Sequence, residues 1–168
     1  MEARWKVIFL DESIFSVKPY ITKGIFRVGG KPTVKYTYTR KKVCVFGGLS
    51  ESFFTSKMAD NLDNTTYLPF IKSLIRKYGK IVIIIDGAKY HFEKEHIRNY
   101  YDSNKDKLKV IQLPAYSPEL NPIEQVWKKI KKWLATRIWY TVEEMEVQLS
   151  YALNNPDFMI KIYDYYLR

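Results

Sequence analysis

The feature that most constrains this chain is the placement of three acids against apolar sequence. Asp11 follows Trp5-Lys6-Val7-Ile8-Phe9-Leu10, and Asp86 follows Ile81-Val82-Ile83-Ile84-Ile85. Glu124 ends the string Leu113-Pro114-Ala115-Tyr116-Ser117-Pro118-Glu119-Leu120-Asn121-Pro122-Ile123-Glu124. Short runs dense in Val, Ile and Phe suit strands buried on both faces, as in parallel sheets. An acid where such a strand runs out sits at the carboxyl edge of the sheet, where open α/β folds place their ligands. Two such strands side by side bring Asp11 and Asp86 close enough to share cations.

The remaining sequence supplies the hairpin and helices that this arrangement needs. Between Ser13 and Lys35, Pro19, Gly24, Gly29-Gly30 and Pro32 mark an irregular excursion. From Thr33 to Leu49 the β-branched and aromatic residues resume, through Val34, Tyr36, Tyr38, Val43, Val45 and Phe46. With Phe53-Phe54-Thr55 beyond a turn near Ser50-Glu51 they predict a hairpin. Tyr67, Phe70, Ile71, Leu74, Ile75 and Tyr78 recur at helical spacing, and Gly79 stops them. Further helices are expected over Glu93 to Asp102, from Asn121, and near Thr141, where Thr141-Val142-Glu143-Glu144 is a capping-box pattern. A short strand is expected at Val110 to Leu113. Helical crossovers make the strands at 5–10, 81–85 and 110–113 largely parallel, with the hairpin as an antiparallel extension. The expected fold class is α/β, a mixed five-stranded sheet flanked by helices, and 168 residues with 46% apolar content make one domain.

The formal net charge is +10, with clusters at Arg40-Lys41-Lys42, from Lys105 to Lys109, and at Lys128-Lys129 with Lys131-Lys132. Such an excess favours a polyanionic partner, although any single cluster also reads as a solvated lysine surface. Cys44 is the only cysteine, which excludes an internal disulfide and a cysteine-rich zinc site. The chain enters its first strand without the long apolar stretch of a signal peptide or a membrane span. The expectation is a cytoplasmic, nucleoid-associated protein with no membrane partner.

Three acids are nearly sufficient for one kind of chemistry. Phosphodiester cleavage needs an activated water, relief of charge on the leaving oxygen, and in-line positioning, all of which two divalent cations about 3.5–4 Å apart supply. Magnesium prefers oxygen ligands and keeps several of its waters, so a few carboxylates hold it. Each acid also has a structural reading: Asp11 as a turn former with Glu12 as the true ligand, Asp86-Gly87 as a turn pair, and Asn121-Pro122-Ile123-Glu124 as a helix cap. Glu124 lies about 100° from Ile123, at the border of the apolar stripe Ile123, Val126, Trp127, Ile130 and Leu134. Lys128 and Lys131 fall on the same flank as Glu124, one and two turns on, and are candidates for contact with a phosphate backbone. Trp127, Trp133 and Trp139 read as core or interface residues.

Phe9-Leu10-Asp11-Glu12-Ser13, Ile84-Ile85-Asp86-Gly87-Ala88-Lys89-Tyr90-His91 and the third block through Glu124-Gln125-Val126-Trp127 resemble the catalytic blocks of mariner-type and related prokaryotic insertion-sequence transposases. The third is the most specific, because its Tyr-Ser-Pro-x-Leu-Asn-Pro-Ile-Glu string is long and ordered. The resemblance, over about residues 5 to 140, implies a DDE endonuclease of the RNase H-like, retroviral-integrase class. It implies that Asp11, Asp86 and Glu124 bind two Mg2+ ions, with Mn2+ as a substitute, and that the enzyme cuts transposon-end DNA and joins it to target DNA. It also implies a TA target dinucleotide, a homodimer holding paired ends, and contact of His91 with metal or phosphate. Two departures stand out. Gly87 replaces a frequent Asn, and no helix-turn-helix region precedes the catalytic blocks, which reads as a truncated or split-frame product whose end recognition comes from a separate chain. The rival expectations are an RNase H-like structure-specific nuclease and a catalytically silent remnant that binds DNA or dimerises.

Overall fold

The computed structural model describes residues 4–17, 27–30, 41–88 and 91–167. The expectations for Pro19, Gly24, Pro32, Val34, Tyr36, Tyr38 and Arg40 lie outside the described residues.

Five strands form one mixed sheet in the order β3-β2-β1-β4-β5. They are β1 (Lys6–Ser16), β2 (Lys42–Ser50), β3 (Phe53–Ala59), β4 (Ile81–Ile85) and β5 (Leu108–Gln112). β1, β4 and β5 are parallel, whereas β2 and β3 extend the sheet antiparallel from β1. The helices are α1 (Asn64–Tyr78), α2 (Glu95–Ser103), α3 (Ile123–Leu134), α4 (Val142–Asn154) and α5 (Ile162–Tyr166). The first four match the expected order, and α5 is an addition to it. No helix among the described residues is long and apolar enough to cross a membrane.

The two faces of the sheet bury separate cores. Ile8, Leu10, Ile81, Ile83 and Ile85 point to one face, where Tyr67, Phe70, Ile71 and Leu74 of α1 and Ile97 of α2 cover them. This is the apolar stripe of α1 read from its spacing. Asp63 caps its start with a reciprocal bond to Thr66, and Gly79 closes it at φ 78°, donating its N–H to Ile75 O. On the other face, Phe15, Val43, Val45 and Leu49 pack against Ile123, Val126, Trp127 and Ile130 of α3 and against Met145 and Leu149 of α4.

β1 is longer than the expected strand over 5–10. Its pairing with β4 stops at Phe9 opposite Ile84, but its pairing with β2 continues from Phe9 opposite Leu49 to Ser16 opposite Lys42. Asp11-Glu12-Ser13 looks like a strand end because it is polar, yet Ile14-Phe15 restores the alternation and β2 carries the ladder past it. Asp11 is therefore a mid-strand residue, level with the first residue beyond β4.

Gly47, opposite Asp11 on β2, allows α3 to lie close. A Cβ there would fall within 2.5 Å of the Trp127 ring and 2.9 Å of Ile123 Cδ1. Both Gly47 and Gly48 thus lie inside β2, and the turn follows at Glu51-Ser52.

Candidate functional site

Alternation along β1 sends neighbouring acids to opposite faces of the sheet. Asp11 faces α3, where Oδ2 accepts a 2.8 Å hydrogen bond from the buried Trp127 indole N–H. Glu12 faces α1 and α2, where Oε1 lies 3.0 Å from His91 Nε2. Asp86 sits just beyond β4. One of its oxygens accepts the Ala88 N–H at 3.0 Å and lies 3.3 Å from His91 Nδ1. Glu124 occupies the first turn of α3. Asp11, Asp86 and Glu124 line one cleft of about 300 Å³, walled by Gly87, Asn121 and the loop from Leu113 to Pro118.

The helix that carries Glu124 starts differently from the expectation. Asn121 does not cap it; α3 begins at Ile123 after a 3-10 turn over Pro118–Leu120. The Asn121 amide is instead buried and donates to Leu10 O at 3.0 Å, tying the start of α3 to the strand that bears Asp11. At α4 half of the expected capping box is present: Thr141 Oγ1 accepts the Glu144 N–H, but the Glu144 carboxylate accepts the Tyr140 N–H in place of that of Thr141.

The electrostatics separate the acids. Burial, followed by the charges of Glu124 and Glu12, pushes the Asp11 carboxyl up to about 8, despite the lowering effect of the Glu12 N–H and the Trp127 indole. The His91 ring, more than any other group, holds Asp86 below the usual carboxylate range. For His91 itself burial opposes the charge, but the bonds to Asp86 and Glu12 outweigh it and raise the imidazole to about 9. Glu12, Asp86 and His91 form a tight group of potential ligand atoms, all within 4.8 Å of one another. The group is also a clamp, with one carboxylate against each ring nitrogen of His91.

The cleft on the other side of the clamp has the donors a hard cation needs. Asp11 and Glu124 repel one another there, no base lies among the described residues of the lining, Asp86 is held below the usual carboxylate range, and the donors are oxygens. Asn121, another residue of the lining, has its Oδ1 buried without a hydrogen-bond partner. This donor set fits Mg2+ or Mn2+ and is poorly suited to softer metals.

The profile of the DDE superfamily endonucleases matches residues 6–146. The chain belongs to that family. Solved structures of similar fold include the mariner Mos1 paired-end complex with Mg, at 18% identity and a TM-score of 0.73 over 96% of this chain and 51% of that one. The Mos1 strand transfer complex matches at 19% identity and 0.68, covering 91% of this chain and 49% of the other. The catalytic core domain of BIV integrase matches at 11% and 0.52, covering 88% and 80%. These likenesses establish an RNase H-like fold shared with transposase and integrase cores. The chain spans about half the length of the Mos1 chains it matches. Among curated proteins none matches significantly.

The remaining expected site residues fall in different places. His91 is 1% exposed, so its ring supports Asp86 from beneath and offers no edge to DNA. Lys128 is exposed beside Lys129 and Lys132, on a groove of about 650 Å³ that lies apart from the carboxylates. Lys131 is half-buried, with Nζ 5.7 Å from the centre of the Phe15 ring. Trp127 and Trp139 are core, as expected. The role of the Trp127 indole as a donor to Asp11 had no signal in the sequence beyond the apolar stripe of α3.

Proposed function

We propose that this chain is a transposase catalytic domain that cleaves DNA at transposon ends and joins the freed 3′ hydroxyl to target DNA. The observation that carries this reading is the meeting of Asp11, Asp86 and Glu124, from β1, the end of β4 and α3, on a single cleft. In a DDE superfamily endonuclease these are the residues to hold two Mg2+ ions, with Mn2+ as a substitute. When bound, such ions activate the attacking water or hydroxyl and relieve charge on the leaving oxygen. The protein's part is positioning. Trp127 fixes the Asp11 carboxylate, His91 and the Ala88 N–H fix that of Asp86, and Asn121 holds α3 against β1 so that Glu124 stays at the rim. The exposed lysines at 128, 129 and 132 suit the phosphate backbone of the substrate.

The neighbours solved as a strand transfer complex and a paired-end complex support DNA as the partner, and the working assembly in this reading is a homodimer. The test is a cleavage and strand-transfer assay on end-containing DNA with and without Mg2+, alongside Asp86→Asn. The amide is nearly isosteric but lacks the anionic charge, so activity is expected to fall by orders of magnitude while the fold persists. Full activity of Asp86→Asn would reject the assignment. Cleavage without joining would leave a structure-specific nuclease, and binding without metal-dependent cleavage a silent remnant.

A further inference from the structure

The rim of the cleft contains one residue that the fold itself does not account for. Tyr116 is fully exposed and is the only non-glycine residue with positive φ, 58°, among the described residues. A bulky side chain in the left-handed region is strained, and such strain persists where the surroundings over-determine it. No packing offsets that strain here, because the ring contributes nothing to either core. The strained residue is also one of those lining the cleft with Asp11, Asp86 and Glu124.

The loop around it is built to stay in place. Pro114 and Pro118 restrict the residues before them. Upstream, the Leu113 N–H donates to Ile85 O at 2.8 Å, which ties the loop to β4 one residue before Asp86. Downstream, the hydroxyls of Tyr165 and Tyr166 in α5 donate to the carbonyls of Glu119 and Leu120. One end of the loop is therefore anchored to β4, which leads into Asp86, and the other to α5, and the exposed ring lies between these two ties.

We propose that Tyr116 is a stacking platform for an unpaired nucleobase next to the phosphate held in the cleft. A planar, sequence-tolerant surface is what an unpaired base stacks on in single-stranded nucleic acid binding, and every base has a face to offer it. Holding the ring outward in advance spares the ordering cost at binding. The proposal rests on the nuclease reading for the identity of the ligand, and it goes further by requiring that the strand be unpaired at that position.

The test uses forked DNA with 2-aminopurine in the single-stranded arm, bound to the full chain carrying Asp86→Asn so that the DNA stays intact. Stacking on Tyr116 quenches the probe. Adding Tyr116→Ala is expected to abolish most of the quench and to weaken binding to the fork by about 5-fold to 100-fold, with little effect on fully paired duplex. Tyr116→Phe and Tyr116→Trp retain both. Thermal melting supplies a second readout. Tyr116→Gly relieves the backbone strain and raises Tm while losing the quench, whereas Tyr116→Ala leaves Tm nearly unchanged. An undiminished quench and affinity in Tyr116→Ala would overturn the proposal, as would a fall in its Tm of several degrees, which would assign the ring to folding. A change in oligomeric state with unaltered DNA binding would assign it to a contact between copies. These outcomes are independent of cleavage, so failure of the nuclease reading is recognised separately, by wild-type protein that does not cut DNA in Mg2+.

Discussion

Asp11 and Glu12 are adjacent on β1 and opposite in fate. Glu12 is directed to the α1–α2 face and meets a buried imidazole at 3.0 Å. Asp11 is directed to the α3 face and meets an indole N–H, a second carboxylate and an open cleft. The two faces solve the problem of a buried acid differently. One supplies the counter-charge from within the chain, while the other leaves it to be supplied from outside. The contrast separates a support from a ligand better than the residue types do, since both are acids in the same short motif.

The largest expected effect follows from the unmatched charge. Asp11 titrates near 3.8 when unfolded and near 8 in the fold, so the folded state binds the extra proton between those values. The contribution of Asp11 to metal-free stability should therefore be fully present below about pH 4 and be lost as pH rises towards 8. His91, raised from 6.5 to about 9, adds a loss of the same sign at higher pH. Asp11→Asn should flatten the slope between pH 4 and 6.5, leave the alkaline slope, and reduce cleavage by orders of magnitude. Thermal melts across pH check this, and Mg2+ should raise Tm in wild type far more at pH 8 than at pH 5. A melting curve for Asp11→Asn with the wild-type pH slope would break the comparison.

A smaller effect, of the opposite sign, belongs to the other face. Glu12→Gln strips a buried imidazolium of one of its two carboxylates and should cost about 3 kcal/mol, as for other buried pairs that lose one partner. Denaturant unfolding measures it. Cleavage should decline much less than in Asp86→Asn, because Ala88 still orients Asp86. If Glu12→Gln matched the loss of Asp86→Asn with its stability intact, Glu12 would be a ligand and the two faces would exchange roles.

The smallest effect sharpens how Asp11 is held. Gly47→Ala places a methyl group against the Trp127 ring and should cost about 1–3 kcal/mol through overpacking. The displaced indole would loosen the Asp11 carboxylate, so activity should fall further than stability alone explains. Tm and cleavage, measured together against Gly48→Ala, separate the two contributions. Gly48 lies in the same strand but touches Ile8, Leu10 and Thr55 on the other face.

Much of this was legible in the sequence because it was local. The run 81–85 with its terminal acid, the spacing of α1, the hairpin and the Thr141 cap depend on neighbours a few residues apart. The full length of β1 was not legible, since it is set by β2, whose ladder carries the polar Asp11-Glu12-Ser13 through the sheet. Asn121 looked like a cap and proved to be a tie to Leu10, 111 residues away. Trp127 looked like core and is also the donor to Asp11, 116 residues away. His91 was legible as a member of its motif, but its burial between Glu12 and Asp86 depends on which face of β1 each acid takes. α5 has too few residues for a periodic signal, and its tyrosines act on a loop 46 residues distant.

The close approach at Gly47 also bears on how such a sequence can drift. Positions 47 and 127 share one volume, so a side chain gained on the strand has to be matched by a smaller ring on the helix, and the smaller ring surrenders the indole donor to Asp11. Neither position can change alone without penalty, and changing both preserves packing at the expense of the site. The two positions are therefore coupled, and the missing side chain and the tryptophan are expected to be kept together or lost together.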